Sequence, residues 1–430
     1  MRLVTPLFIV ASGLRLGEGC EIDYAAIPLG TKRPYHAMPL DKPEILRFPP
    51  SESIKHLPSH CDTQAWGSNT STSARAVRYV AVVARHGARF PTKGKMEQVI
   101  EFAEKICTAG GDGTHPVPAD ALAWCQTVMD TKDVRPGSLS ALGAAEMQQL
   151  GAQIGSRYLA NRTKDPSVRM LTSSSDRCKR SCEAFKEGVK DHWMPQDHSE
   201  HSCEAVHDHL LRPYRDCPLL QAVRDAFNPQ HDDRFLADAV LAVAAATGLP
   251  PDSLSADDVH AAFYACQTEV STNSGDFNGA FSCGMLGERM CRFDEEEDLE
   301  NFFLRGFGRW NVTRAIAAPL LQHITERMDE AHVQDAGSSG PVVDLFFTHD
   351  STVLPLAALM GLFDLGGTPE SSQAARFCPF ASRLIIEVLE CGAVFVHYND
   401  VQVRVLRGLE EWRESYREEL ATSFEQVGRA

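Results

Sequence analysis

The 430-residue chain lacks a basic surplus. Its 42 lysines and arginines face 58 aspartates and glutamates, a formal net charge of −16. Such a surface repels nucleic acid and anionic membrane, and neither is expected as a partner. After the first fourteen residues, no apolar run is long enough to cross a bilayer. No CxxC pair with zinc spacing occurs, so no metal or other cofactor is expected. No internal repeat is present, and residues 190–310 lack strand-like runs.

What is there begins with ordinary globular composition, 43% hydrophobic and 23% charged, enough for a sizeable core. Thirteen cysteines are many for a chain kept in a reducing compartment, and they are spread along the sequence. The opening MRLVTPLFIVASGLRLGEGC has one early arginine, an apolar run from Leu3 to Leu14 and small residues behind it. That resembles a secretory leader over 1–19, although an ordinary buried segment reads similarly. Sequons at Asn69, Asn161 and Asn311 would be surface glycosylation sites in an exported protein. The expected address is therefore the secretory pathway, ending outside the cell or in a lysosome-like compartment.

Residues 20–75 read as an irregular arm rich in proline, serine and histidine. The apolar run Val77–Ala84 is a buried strand by composition, and Met96, Val99, Ile100, Ala103 and Ile106 recur at helical spacing. Val168–Thr172 predicts a short strand feeding a serine cluster, with a helix beginning near Ser175. Val342–Phe347 predicts another buried strand, followed by a helix after Asp350. RLIIEVLE, AVFVHYND and VQVRVL predict three more strands, the last two as a hairpin. Strands and helices alternate at both ends of the chain around a helical block. The expected fold is α/β, a mostly parallel doubly wound sheet with an inserted α-helical cap. The core would comprise 76–190 and 312–430, and the cap 191–311 with part of 93–135.

Three predicted strands end in polar, charge-bearing residues. Ala84 runs into Arg85 and His86, Thr172 into the serines before Arg177, and Phe347 towards His349 and Asp350. Sites in open α/β sheets lie at the carboxyl ends of strands, so these tips would converge if they share one sheet. Arg85, Arg89, Arg177 and His349 then offer fixed positive charge and many N–H donors, suited to phosphate oxygens. His86 has a ring nitrogen able to attack phosphorus, and Asp350 a carboxyl able to protonate a leaving alkoxide. Taken singly these residues say little: an RHG tripeptide is usually a turn, and Arg177 alone would be a solvated helix residue. Their order and strand context carry the reading.

ARHGARFP matches the RHGxRxP signature of the histidine acid phosphatase family, and THDS resembles its downstream HD element. TSSSDRCKRSCEAFKEGV, ENFFLRGFGRWN, RFCPFASRLIIEV and LGTKRPYHA are similar to the inositol polyphosphate phosphatase and phytase members. The resemblance runs in patches from about residue 28 to residue 405. It implies a metal-independent phosphomonoesterase acting on phytate and other inositol polyphosphates through a phosphohistidine. By position His86 would be the nucleophile, Arg85, Arg89, Arg177 and His349 the phosphate clamp, and Asp350 the acid. One departure stands out. The inositol polyphosphate subgroup usually carries HAE, whereas this chain reads His349, Asp350, Ser351, the HD form of fungal-type phytases and general acid phosphatases. Lys32, Thr92, Lys93 and Lys95 are candidates for further substrate contacts. A broad-specificity acid phosphatase and a catalytically weak inositol-phosphate binding protein remain alternatives at this stage.

Overall fold

The computed structural model describes residues 77–113, 115–160, 164–193, 203–205, 208–216, 220, 233–272, 279–305, 310–333, 340–362 and 378–421. The expected leader (1–19), the arm (20–75), Lys32, Asn69 and Asn161 lie outside these residues, as does the side chain of Asn311.

Seven strands form one sheet: β1 (Val77–Arg85), β2 (Ser167–Thr172), β3 (Glu204–Ala205), β4 (Val342–Thr348), β5 (Arg383–Leu389), β6 (Val394–Tyr398) and β7 (Val401–Leu406). Their order is β3-β2-β4-β1-β5-β6-β7. β1 to β4 are mutually parallel, while β5 runs against β1, β6 against β5 and β7 against β6. Five of the seven strands therefore point one way, but the β5–β7 half is paired antiparallel. The linkers dictate this, since β6 and β7 are joined by only Asn399 and Asp400. Both adopt positive φ, 45° and 67°, as a two-residue hairpin turn requires. β3, two residues long, interrupts the stretch expected to hold no strand. It is too short to show a period.

β1 is apolar on both faces because both are covered. Tyr79, Ala81 and Val83 pack with the helices Trp310–Val333 and Asp350–Leu359. Val80, Val82 and Ala84 pack with Ala141–Ile154 and Asp176–Val189. A third apolar cluster draws on helices and no strand. It joins Lys93–Gly111 and Ala119–Asp130 to Asp233–Thr247, Ala256–Thr272, Phe281–Leu286 and the start of Met290–Arg305. The disulfides Cys107–Cys125 and Cys266–Cys283 lie within that layer, and Cys182–Cys203 ties the helix Asp176–Val189 to the residue before β3. Cys178 and Cys378 are free and buried.

One buried charge braces the antiparallel half. Glu387 of β5, fully buried, accepts from Tyr158 Oη at 2.6 Å, His397 Nε2 at 2.7 Å and Arg157 at 2.9 Å. Burial alone would raise its pKa, yet His397, Arg157 and Tyr158 together hold the carboxyl well below the usual range. Glu387→Ala removes the shared acceptor from all three. It is expected to cost about 3–5 kcal/mol, read as a lower midpoint in urea unfolding.

Candidate active site

Strand register builds the site. Arg85 at the end of β1 pairs with Thr348 at the end of β4, and Thr172 of β2 with Phe347. The three tips are level, so the segments following them meet. The His86 N–H donates to Thr348 O at 2.9 Å and the Ser173 N–H to Phe347 O at 3.1 Å. Helices Asp176–Val189 and Asp350–Leu359 start here, with Arg177 and Asp350 in their first turns. Their N-terminal dipoles add to the positive field.

The loop after β1 is held by its own backbone. The Gly87 N–H donates to Ser181 Oγ at 3.2 Å and the Ala88 N–H to Glu146 at 2.8 Å. Ser140 caps the helix Ala141–Ile154, accepting from the Gly143 N–H at 3.1 Å, while its hydroxyl donates to Ala88 O at 3.0 Å. A Cβ on Gly87 would stand 2.2 Å from Gly143 O, and one on Gly143 2.0 Å from Ala88 O. Gly87 is thus needed for contact with the helix backbone as well as for any approach to a ligand. Gly87→Ala should displace this loop and cost about 2 kcal/mol or more of stability along with activity, as measured by thermal melting.

His86 Nδ1 lies 2.8 Å from Gly87 O. A carbonyl only accepts, so Nδ1 carries the proton and Nε2 presents a lone pair. Burial, then Arg177, His349, Arg85 and Arg89, hold His86 well below its ordinary pKa, which keeps the ring neutral. Arg177 donates to His349 Nδ1 at 3.2 Å, which places the His349 proton on Nε2, 3.1 Å from Ser173 Oγ. Burial and Arg177 likewise push His349 well below its ordinary value. The two imidazoles meet edge to face with centroids 5.4 Å apart.

Arg85 is buried, donates to Cys378 O at 2.6 Å and stacks 4.4 Å from the Phe380 ring centroid. Burial, Arg177 and Arg85 push Arg89 down to about 9, so it stays charged at neutral pH. Arg89 Nε and Arg177 Nε are buried without a hydrogen-bond partner among the described residues. Each such donor costs about 1–3 kcal/mol while no acceptor reaches it. Like charges packed against unsatisfied donors make a site that is stabilised by an anion.

The cavity above these groups has a volume of about 460 Å³ and is lined by His86, Arg89, Arg177, His349 and Asp350 among others. Arg85 lies behind it, reaching Asp350 Oδ2 at 3.3 Å, and Arg305 reaches the same oxygen at 3.4 Å. Thr92 and Lys95 also line the cavity, whereas Lys93 does not. The Lys93 side chain is 81% exposed and pairs with Glu97 at 3.8 Å. Residues two apart on a helix differ by about 200°, so Lys93 and Lys95 cannot face the same way. The sequence reading missed Arg305, Tyr214, Tyr264, Glu297, Glu300 and Phe380, all of which line the cavity. Glu300 and Arg305, inside ENFFLRGFGRWN, and Phe380, inside RFCPFASRLIIEV, stood in motifs that drew notice, and Glu297 lies in the acidic run DEEEDLE just before.

A neutral imidazole ringed by arginines at the tips of a parallel sheet, lining a cavity, suits an anionic phosphate ester. The chain belongs to the histidine phosphatase superfamily (branch 2), whose model matches residues 76–408. It is 25% identical to the human multiple inositol polyphosphate phosphatase 1, over 82% of this chain and 78% of that protein. It is 26% identical to Phytase A of Aspergillus terreus, over 74% of each chain. Among solved structures, the phytase from D. castellii has the same fold, with a TM-score of 0.65, 20% identity and coverage of 85% of this chain and 84% of that one. The Bifidobacterium longum multiple inositol polyphosphate phosphatase, solved with inositol hexasulfate, aligns with a TM-score of 0.57, 15% identity and coverage of 88% and 93%. The protein is a phosphatase of this family.

Proposed function

We propose that this phosphatase removes phosphates from inositol polyphosphates, phytate among them, through a phosphohistidine on His86. The observation that carries this reading is the His86 ring, with Nδ1–H pinned to Gly87 O so that the lone pair rests on Nε2, in a residue that lines the arginine-ringed cavity. Nε2 attacks phosphorus, the P–O bond to the alcohol breaks, and the Asp350 carboxyl gives the leaving oxygen its proton. Water then attacks the phosphohistidine, losing a proton to Asp350 and releasing inorganic phosphate and free His86. Arg85, Arg89, Arg177 and His349 hold the phosphoryl oxygens, and the guanidinium charge is worth most in the transition state. Thr92 and Lys95 line the cavity in which the rest of the substrate lies. Names and partial identity of the relatives support the inositol substrate, and the disulfides support export through an oxidising compartment.

Phosphate release from phytate and from p-nitrophenyl phosphate, measured from pH 4 to 8 with and without a chelator, tests the reading. Hydrolysis of both, unchanged by chelator, is the expected result. Hydrolysis of the aryl ester alone would instead mark a broad-specificity phosphatase, and turnover of neither a binding protein. Mass spectrometry of the secreted chain should show the leader removed; an intact Met1 would count against export.

A further inference from the structure

The cavity's cations are of two kinds. Arg89 and Arg177, beside His86, form no ion pair with a carboxylate among the described residues, and their Nε atoms lack partners. Lys95 and Arg305, further up the wall, are already neutralised. Lys95 Nζ sits 3.5 Å from Glu297 and 3.9 Å above the centroid of the Tyr264 ring. Arg305 pairs with Asp350 at 3.4 Å and is hydrogen-bonded by Asn301 Oδ1. Although burial pulls the other way, Asp350 and Glu300 push its pKa above the ordinary value.

Two carboxylates, Glu297 and Glu300, share one surface with Asn301. Glu297, Glu300, Asn301, Leu304 and Arg305 fall at helical spacing along Met290–Arg305, and all five line the cavity. At Tyr264 the carboxylates of this helix outweigh its cations. Burial, then Glu297, Glu300 and Glu296, push the Tyr264 hydroxyl up to about 12. The cavity therefore offers uncompensated positive charge to one phosphoryl group, and carboxylates to whatever surrounds it.

We propose that this carboxylate wall makes the enzyme prefer inositol phosphates carrying few phosphates, with ring hydroxyls turned towards the helix Met290–Arg305, over the fully phosphorylated ring. A hydroxyl donates to Glu297 or Glu300, whereas a phosphate in the same place meets like charge and finds Lys95 already occupied. The inference rests on the inositol polyphosphate reading above.

The test is kcat/KM for myo-inositol 1,4,5-trisphosphate and for myo-inositol hexakisphosphate at pH 6, above the ordinary glutamate range. It compares the full-length enzyme with Glu300→Gln and with the double variant Glu297→Gln/Glu300→Gln. The ratio between substrates is the readout, because partial unfolding lowers both alike. In the unaltered enzyme the trisphosphate should be favoured about tenfold or more. The double variant should reduce that ratio about tenfold, mainly through a lower KM for the hexakisphosphate, and Glu300→Gln should reduce it by about threefold. A ratio at or below one in the unaltered enzyme, or a ratio that neither variant moves, overturns the proposal. Turnover of p-nitrophenyl phosphate with neither inositol ester hydrolysed instead overturns the inositol reading beneath it.

Discussion

His86→Ala should abolish phosphate release from every substrate, by about 10⁴-fold or more, the scale on which covalent nucleophiles act. No other described side chain lining the cavity presents a neutral ring nitrogen with its second nitrogen pinned: the His349 Nδ1 lone pair is taken by Arg177. The arginines survive the change, so the variant should still bind inositol hexasulfate, which calorimetry would show. In the unaltered enzyme, acid quenching during turnover of a radiolabelled ester should trap label on His86. The pH profile follows from the same environment. Attack needs the unprotonated Nε2, and burial with Arg177 depresses the pKa, so protonation sets in only well below 6.5. Activity should therefore hold as pH falls from 7 towards 5. Residual turnover in His86→Ala within tenfold of the original would rule out the phosphohistidine route.

The second large effect depends on the leaving group. Asp350→Asn keeps an oxygen that Arg85 and Arg305 can bond, yet it cannot deliver a proton. An alkoxide such as that of inositol needs one, so phytate hydrolysis should fall about 10²–10⁴-fold. The p-nitrophenolate ion leaves unprotonated, and its release should fall less than tenfold. Equal losses on both substrates would make Asp350 a structural brace and not the acid. Ser351, buried at the cavity wall, provides a further check. A glutamate there, combined with Asp350→Ala, should recover part of the phytate activity if the carboxyl's reach, and not its chain position, is what matters. Arg305 and Arg85 also suggest why the acid is restrained before substrate arrives. Both guanidiniums hold Asp350 Oδ2, and an incoming phosphate competes for them.

The convergence of the candidate site's floor was legible in the sequence because it is made of strand ends. Val77–Arg85 and Val342–Thr348 are mostly apolar strands, broken only by Arg78 and Asp344, whose ends run into charged residues, and parallel register does the rest. What defeated the reading was distance along the chain. Arg305, Glu297 and Tyr264 sit in helices whose own periodicity reports burial, not what they are buried against. Lys93 and Lys95 look equivalent in PTKGK, and only the helix beginning at Lys93 separates them. The antiparallel pairing of β5–β7 was implicit in their short connections, whereas β3 had no length in which to announce itself.

Floor and wall come from different parts of the molecule. His86, Arg89 and His349 follow the tips of sheet strands, while the cavity-lining Glu297 and Glu300 belong to a helix whose first turns pack in the helical layer. Under the proposed substrate preference, drift in that helix would change the diet of the enzyme without disturbing its chemistry. A lineage with this architecture can broaden or narrow its substrates one side chain at a time, and laboratory evolution should find its first gains between Glu297 and Arg305.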